Sequence, residues 1–358
     1  MLVFVGVSLF ALAAAWGLLL VRAADVPAVG RGLAVPLAIA VVPVLEAGLL
    51  VHRRLAPGHA GLTATATGVA AAGAVLLAAG VTVAWPDPLR LTVAAAVAGV
   101  VLTRVAWREA RPWFQLGAVP ALGLACVLAA HGAAGRWAPP DATPSADWLR
   151  HLLASSASGV TLTGLALLLA AAGQLAAGRG RRADGLGSAL GGLGAGAVGL
   201  LLVTGHGRDE PWPAAGAHLA AAVGLLTANI WWRQRTVALG GVWLGLMTTL
   251  WVLQAGHPVE HGAWGFTVAL EALVLAGVAL ALTPRTARPG PAGVVLGQLR
   301  AGCRDVAAAA GVLAAGLALS WPVFPADLLQ VGTFLVLAPV GLVLARVPGH
   351  AAFTWVGA

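Results

Sequence analysis

The chain has 358 residues, 59% of them hydrophobic and only 9% charged, and a formal net charge of +8. Soluble domains carry about a quarter of their residues as charges, so this chain lacks the material for a water-facing surface and its solvent is mostly lipid. The basic charge is all arginine, with no lysine; it stands in short segments beside apolar stretches, which points to membrane topology and anionic headgroups and away from nucleic acid.

A transmembrane helix needs about 20 mostly apolar residues, and about twelve such stretches follow one another along the chain. The first, 2–21, has no basic segment ahead of it and no A-x-A-like site behind it, so it reads as a span and not as a signal peptide. The second, 33–51, holds Glu46 within VVPVLEAGLLV. Trp85-Pro86-Asp87-Pro88 separates the third, 61–84, from the fourth, 90–106, which carries Arg104 close to its end, where the side chain is expected to snorkel. The fifth, 114–131, contains Cys126 and ends at His131. About twenty residues from His131 to Arg150, including Pro139-Pro140, then form the longest loop before the sixth span, 152–176.

The seventh span, 185–204, places Gly187, Gly191, Ala195 and Gly199 at i, i+4 intervals, with Gly192 and Gly196 beside them. Small residues on one face let helices approach closely in lipid, which predicts a tightly packed helix here. The remaining spans are 214–232, 237–255, 263–282, 305–321 and 326–346. The tenth holds Glu271 within TVALEALVLAG, and Cys303 falls in an arginine-containing loop. With Cys126 inside a span, a disulfide between the two cysteines is not expected.

The arginines orient these spans. With the N-terminus inside, the inside loops hold Arg53, Arg54, Arg104, Arg108, Arg111, Arg179, Arg181, Arg182, Arg233, Arg235, Arg285, Arg288, Arg300, Arg304 and Arg346. The outside loops hold Arg22, Arg31, Arg90, Arg136, Arg150 and Arg208. Fifteen against six predicts both termini inside a bacterial-type inner membrane. The fold class expected is therefore an all-α integral membrane protein of about twelve helices, one polytopic domain over 1–358. The outside level also collects acids (Asp25, Asp87, Asp141, Asp147, Asp209, Glu210, Glu260, Asp327) and tryptophans (Trp85, Trp137, Trp148, Trp212, Trp264, Trp321). Tryptophan there is the ordinary aromatic belt.

A repeat is expected too. Ala94 to Gly132 and Ala220 to Gly256 both run apolar helix, Trp with Arg, short basic turn, apolar helix. This suggests tandem helical hairpins, with possible repeat units at 61–176 and 185–282. An even number of helices per unit makes such repeats parallel.

Two groups of residues are candidates for chemistry. Glu46 and Glu271 lie inside apolar helices, where an ionised side chain costs on the order of 3 kcal/mol or more. Such a group faces a cavity, pairs, or is protonated, so an ion or proton relay and a headgroup contact are both open, as is a protonated carboxyl bonding across helices. The second group is the outside rim: His131, His151, His206, Asp209, Glu210, His218, His257, Glu260 and His261. Imidazoles and carboxylates can ligate metals or relay protons. His257-Pro-Val-Glu-His261 is not an H-E-x-x-H motif, however, and Pro258 breaks the helix that would align its ends. No Walker A, G-x-S-x-G or dinucleotide fingerprint occurs. No catalytic residue, metal or cofactor is assigned, and nothing in the sequence argues for an enzyme.

Two resemblances follow. Twelve spans with both ends inside resemble the major facilitator transporters, whose loop between helices two and three is rich in Gly, Asp and Arg. The corresponding segment here, Gly48-Leu-Leu-Val-His-Arg53-Arg54-Leu-Ala-Pro-Gly58, matches in glycine and arginine and lacks the acid. The recurring Trp and Leu-Glu-Ala positions, as at Trp264 to Ala272, resemble uncharacterised bacterial membrane proteins built from many helical hairpins.

Together these readings favour a carrier or lipid-handling membrane protein with Glu46 and Glu271 on a central path. The alternatives are a non-catalytic membrane subunit or scaffold docking other membrane subunits through the outside rim, and a quinone- or haem-associated electron-transfer subunit. The lipid bilayer is the partner common to all three.

Overall fold

A computed structural model describes residues 26–54, 60–109, 114–137, 146–256, 261–286, 290–320 and 328–346. Their regular structure is entirely helical. Lipid offers no partner to a backbone amide, so each segment must satisfy its own hydrogen bonds, and a helix does so locally. In chain order the helices are α1 (Val26–Arg54), α2 (Ala60–Ala84), α3 (Pro88–Glu109), α4 (Gln115–Ala133), α5 (Ala146–Leu153), α6 (Ser156–Gly178), α7 (Arg182–His206), α8 (Pro211–Trp232), α9 (Arg235–Gly256), α10 (His261–Thr286), α11 (Pro291–Leu319) and α12 (Leu328–Arg346). Among the described residues, eight helices, α3 and α6 to α12, are long and apolar enough to cross a membrane, and α1 and α4 contain shorter apolar stretches. The expected span at 2–21 lies outside the described residues.

Helix starts follow local chemistry. Asp87 Oδ1 accepts from the backbone N–H of Arg90 at 3.1 Å, with Pro88 at the first helical position of α3. Ser155 Oγ caps α6 by accepting from Ser158 N at 3.4 Å. Pro211 opens α8, and Pro291 opens α11 behind Gly290, whose φ of +107° suits glycine. The basic turn between α8 and α9 is only two residues long. Arg233 takes the left-handed conformation, and buried Asn229 closes the turn by accepting from Gln234 N at 2.9 Å.

Three sequence expectations change. The stretch 305–321 belongs to a helix that starts fourteen residues earlier, at Pro291, so Arg300 and Arg304 are helical residues and not loop residues. No breaker interrupts 291–319, and both guanidiniums find partners: Arg300 reaches Thr286 Oγ1 at 3.3 Å and Arg304 reaches Asp305 Oδ1 at 2.7 Å. The stretch 152–176 is divided at Ala154-Ser155, where the cap of α6 forces a new start, and its first two residues close α5. Arg31, expected in a loop, lies within α1.

The chain divides into two compact units, 1–195 and 196–358, with the division inside α7. In the first unit α1 packs on α2 and α3, α3 on α4, and α4 on α6. Its core is built from Ala34, Ala38, Leu91, Ala94 and Leu128, continued by Val41, Leu45, Leu77 and Ala98. In the second unit α10 packs on α11 and α12, and α9 on α8 and α11. The seam of α10 and α11 is made of Ala269, Ala272, Ala276 and Ala279 against Ala307, Ala310 and Ala314, all fully buried.

Many large apolar side chains point the other way. Leu201 is 72% exposed, Val312 75% and Leu328 87%. In water this distribution would be unfavourable; in lipid it is the expected one, because Leu is as well solvated by acyl chains as by protein and close packing selects small residues inside. The fold is therefore that of a multi-pass helical membrane protein.

Candidate site at the basic end of α1 and α3

Both helices run toward arginine-bearing ends, so α1 and α3 are parallel, with α2 returning between them. Arg104 and Arg108 are one helical turn apart and share a face of α3. Glu46 on α1 meets both. Its Oε1 lies 3.0 Å from Arg104 Nε in an ion pair, and its Oε2 accepts from Arg108 Nη1. One carboxylate between two guanidiniums leaves the trio with a net positive charge. Arg104, expected to snorkel, is thus ion-paired, although its side chain stays 60% exposed. The pairing also moves Glu46 from mid-bilayer, as read in the sequence, toward one end: Arg108 is the penultimate residue of α3, and Glu46 lies eight residues from the end of α1.

A cleft of about 340 Å³ opens beside the trio. Val42 and Leu45 form its wall on α1, and Ala96, Val97, Val100 and Val101 form the wall on α3. These positions recur at three- and four-residue spacing, so each wall is one helix face. Glu46 and Arg104 close one end of the cleft. Seven residues separate Val97 from Arg104, about 10 Å along the axis, so the cleft grades from apolar to charged within one leaflet's depth.

The second carboxylate is placed differently. Glu271 is the eleventh of the twenty-six residues of α10 and lies in the second unit, so it does not join Glu46 in one site within either unit. Thr249 of α9 hydrogen-bonds its carboxyl, and Oε2 is buried with no partner.

The rim histidines are spread out. His131 is buried, with Nε2 3.0 Å from Ser158 Oγ and 3.3 Å from Ser155 Oγ. Ser158 is itself fully buried and donates to Leu152 O at 2.8 Å. Both serines spend their hydroxyl protons on Leu152 O, so His131 meets them as a donor, and the geometry is that of the α6 cap tied to the end of α4. His218 is buried too: its Nδ1 donates to Ala214 O at 2.8 Å and its ring lies tilted against Trp251. His206 donates from Nδ1 to Leu202 O at 3.0 Å and is exposed, as are His151, Asp209 and Glu210. His257 and Glu260 lie outside the described residues, as does the side chain of His261. Among the described residues no three His, Cys, Asp or Glu side chains form a metal-binding group.

A Cβ on Gly191 would meet Val119 of α4 at 2.4 Å, and Ala195 is buried. The closest approach of α6 and α7 falls at glycines the ladder omits: a Cβ on Gly173 would meet Gly185 O at 2.7 Å.

Two acids escaped the sequence reading. Asp305 bridges Arg304 and Arg235, and thereby joins α11 to α9. Asp184, buried in the first turn of α7, accepts from Arg181 Nε at 2.8 Å. Arg181 also donates to Trp107 O at 2.5 Å and lies over the Trp107 ring. Both acids stand within basic segments, where an apparent excess of arginine hides them. Comparison of the chain with protein-family models, with curated proteins and with solved structures finds no match.

Proposed function

We propose that this membrane protein handles an amphiphile, as a carrier or lipid-handling protein, through the cleft between α1 and α3. The observation that supports this reading is the juxtaposition of an apolar wall and a charged end in one open groove. A structural ion pair needs no cleft beside it, and a cleft that packs only lipid tails needs no charge at its end. An amphiphile uses both: its chain replaces bulk lipid along the valines, and its polar end meets the arginines. The same reading puts the basic turns and the trio on the cytoplasmic side of a bacterial-type inner membrane, with the N-terminus inside.

The test is retention of bound amphiphile. Protein purified in mild detergent is extracted and its co-purified lipids and small amphiphiles weighed by mass spectrometry, wild type against Ala96→Trp. Ala96 lines the cleft, and an indole there fills it. Loss of a stoichiometric amphiphile in the variant is the expected result; equal retention overturns the reading.

A further inference from the structure

The cleft also carries information about what it selects. Resting on the amphiphile reading above, we propose that its occupant is an anionic phospholipid of the leaflet at the basic ends of α1 and α3, with one acyl chain along the valine walls and the phosphate on Arg104.

Four observations support this. First, charge: Arg104 shares its carboxylate with Arg108, so Glu46 neutralises it only in part, and a monoanionic headgroup supplies the rest where a zwitterionic one does not. Second, donor placement: Glu46 lies against the Nε side of the Arg104 guanidinium and the side chain is 60% exposed, so its two terminal amino groups are open as a fork suited to phosphate oxygens. Third, size: about 340 Å³ is at the lower end of ligand cavities and suits one chain in place of two. Fourth, access: Val100, on the α3 wall, is 60% exposed, so the groove opens sideways to the bilayer and a lipid enters without leaving the membrane. Glu46 is then a positioning residue. It orients Arg104 and, by holding part of its charge, keeps the bound headgroup exchangeable.

The experiment is competition for the full-length protein in mixed vesicles holding equal amounts of a phosphatidylglycerol and a phosphatidylcholine of identical chains, read by native mass spectrometry of released complexes. Wild type is expected to retain the anionic lipid about fivefold over the zwitterionic one, the factor that about 1 kcal/mol from a cation near an anionic surface gives; equal retention overturns the proposal and requires no variant. Arg104→Gln is expected to bind both lipids equally, and an unchanged anionic preference overturns it. Arg104→Lys keeps the charge and a partner for Glu46, and serves if Arg104→Gln fails to fold: its anionic preference persists with faster exchange, and loss of all preference in this variant overturns the assignment of charge as the selector. Glu46→Gln raises the preference above wild type; a fall overturns the role given to Glu46. If Ala96→Trp abolishes retention while Arg104→Gln leaves selectivity intact, the headgroup assignment fails and the amphiphile reading stands. If Ala96→Trp changes nothing, both fail. Retention of a fatty acid or quinone in place of phospholipid overturns the headgroup assignment alone, and excess inorganic phosphate is expected to displace nothing.

Discussion

A carboxylate shared by two guanidiniums is an asymmetric arrangement: removing the acid leaves two like charges facing each other, whereas removing one arginine leaves a pair. Glu46→Ala is therefore expected to destabilise more than Arg104→Ala. The groups are partly exposed, so solvent and headgroup screening keep the difference to about 1 kcal/mol, or about 2–4 °C in the unfolding midpoint of the detergent-solubilised protein. Equal midpoints would show that the trio holds no net strain to release. The histidines give a sharper contrast. His131→Ala removes a buried partner of Ser155 and Ser158 and should cost about 1–3 kcal/mol, whereas His151, exposed on α5, should tolerate alanine with no measurable change; scanning fluorimetry of the two variants side by side distinguishes them. Glu46 was visible in the sequence as a carboxylate inside an apolar helix, and His131 as a rim histidine at the end of a span. Their partners were not, because Arg104, Arg108, Ser155 and Ser158 are each ordinary where they stand, and only the packing of α1 on α3 and of α4 on α6 brings the sets together. Asp305 was invisible for a related reason: its neighbour Arg304 cancels its charge in any count along the chain.

Breakers open several helices, but only the one at Asp87-Pro88 marked a boundary in the sequence. Asp87-Pro88 and the prolines at 211 and 291 are start signals that the structure uses. The beginning of α11 was misplaced because two arginines looked like a loop, yet guanidiniums with partners do not end a helix. Composition marks a helix rich in small residues but not which of its turns touches a neighbour. The contact at Gly173 and Gly185 is backbone against backbone, so neither side can yield. Gly173→Val is expected to separate α6 from α7 and lower stability by about 1–3 kcal/mol. Gly164, on the same helix, has nothing within 4 Å of an added Cβ; Gly164→Val should leave thermal stability unchanged. A neutral Gly173→Val would mean that α6 and α7 do not meet as described.

Along the whole chain basic turns alternate, and within the second unit small residues gather in the seam of α10 and α11. The first of these was plain in the sequence, because alternate basic turns are a one-dimensional signal. The orientation read from it predicts which turns a membrane-impermeant thiol reagent reaches in intact cells. In a background lacking Cys126 and Cys303, cysteines at Ala134 and Asp209 should label from outside and cysteines at Gly178 and Gln234 only after permeabilisation; the reverse pattern would invert the topology. The second pattern, alanine in the seam, was hidden, because alanine and leucine are both apolar and only the packing of α10 on α11 separates them. That seam has a further consequence. An interface already built from alanine has nothing left to trim except a methyl group, so nearly every mutation there adds volume. Its tolerance is one-sided: in a saturation library, Ala272, Ala276, Ala307 and Ala310 should accept glycine or serine and little else, while Val312 and Leu335 on the lipid-facing surface exchange freely among bulky apolar residues. The region least distinguished by composition would then be the most restricted in what it can become.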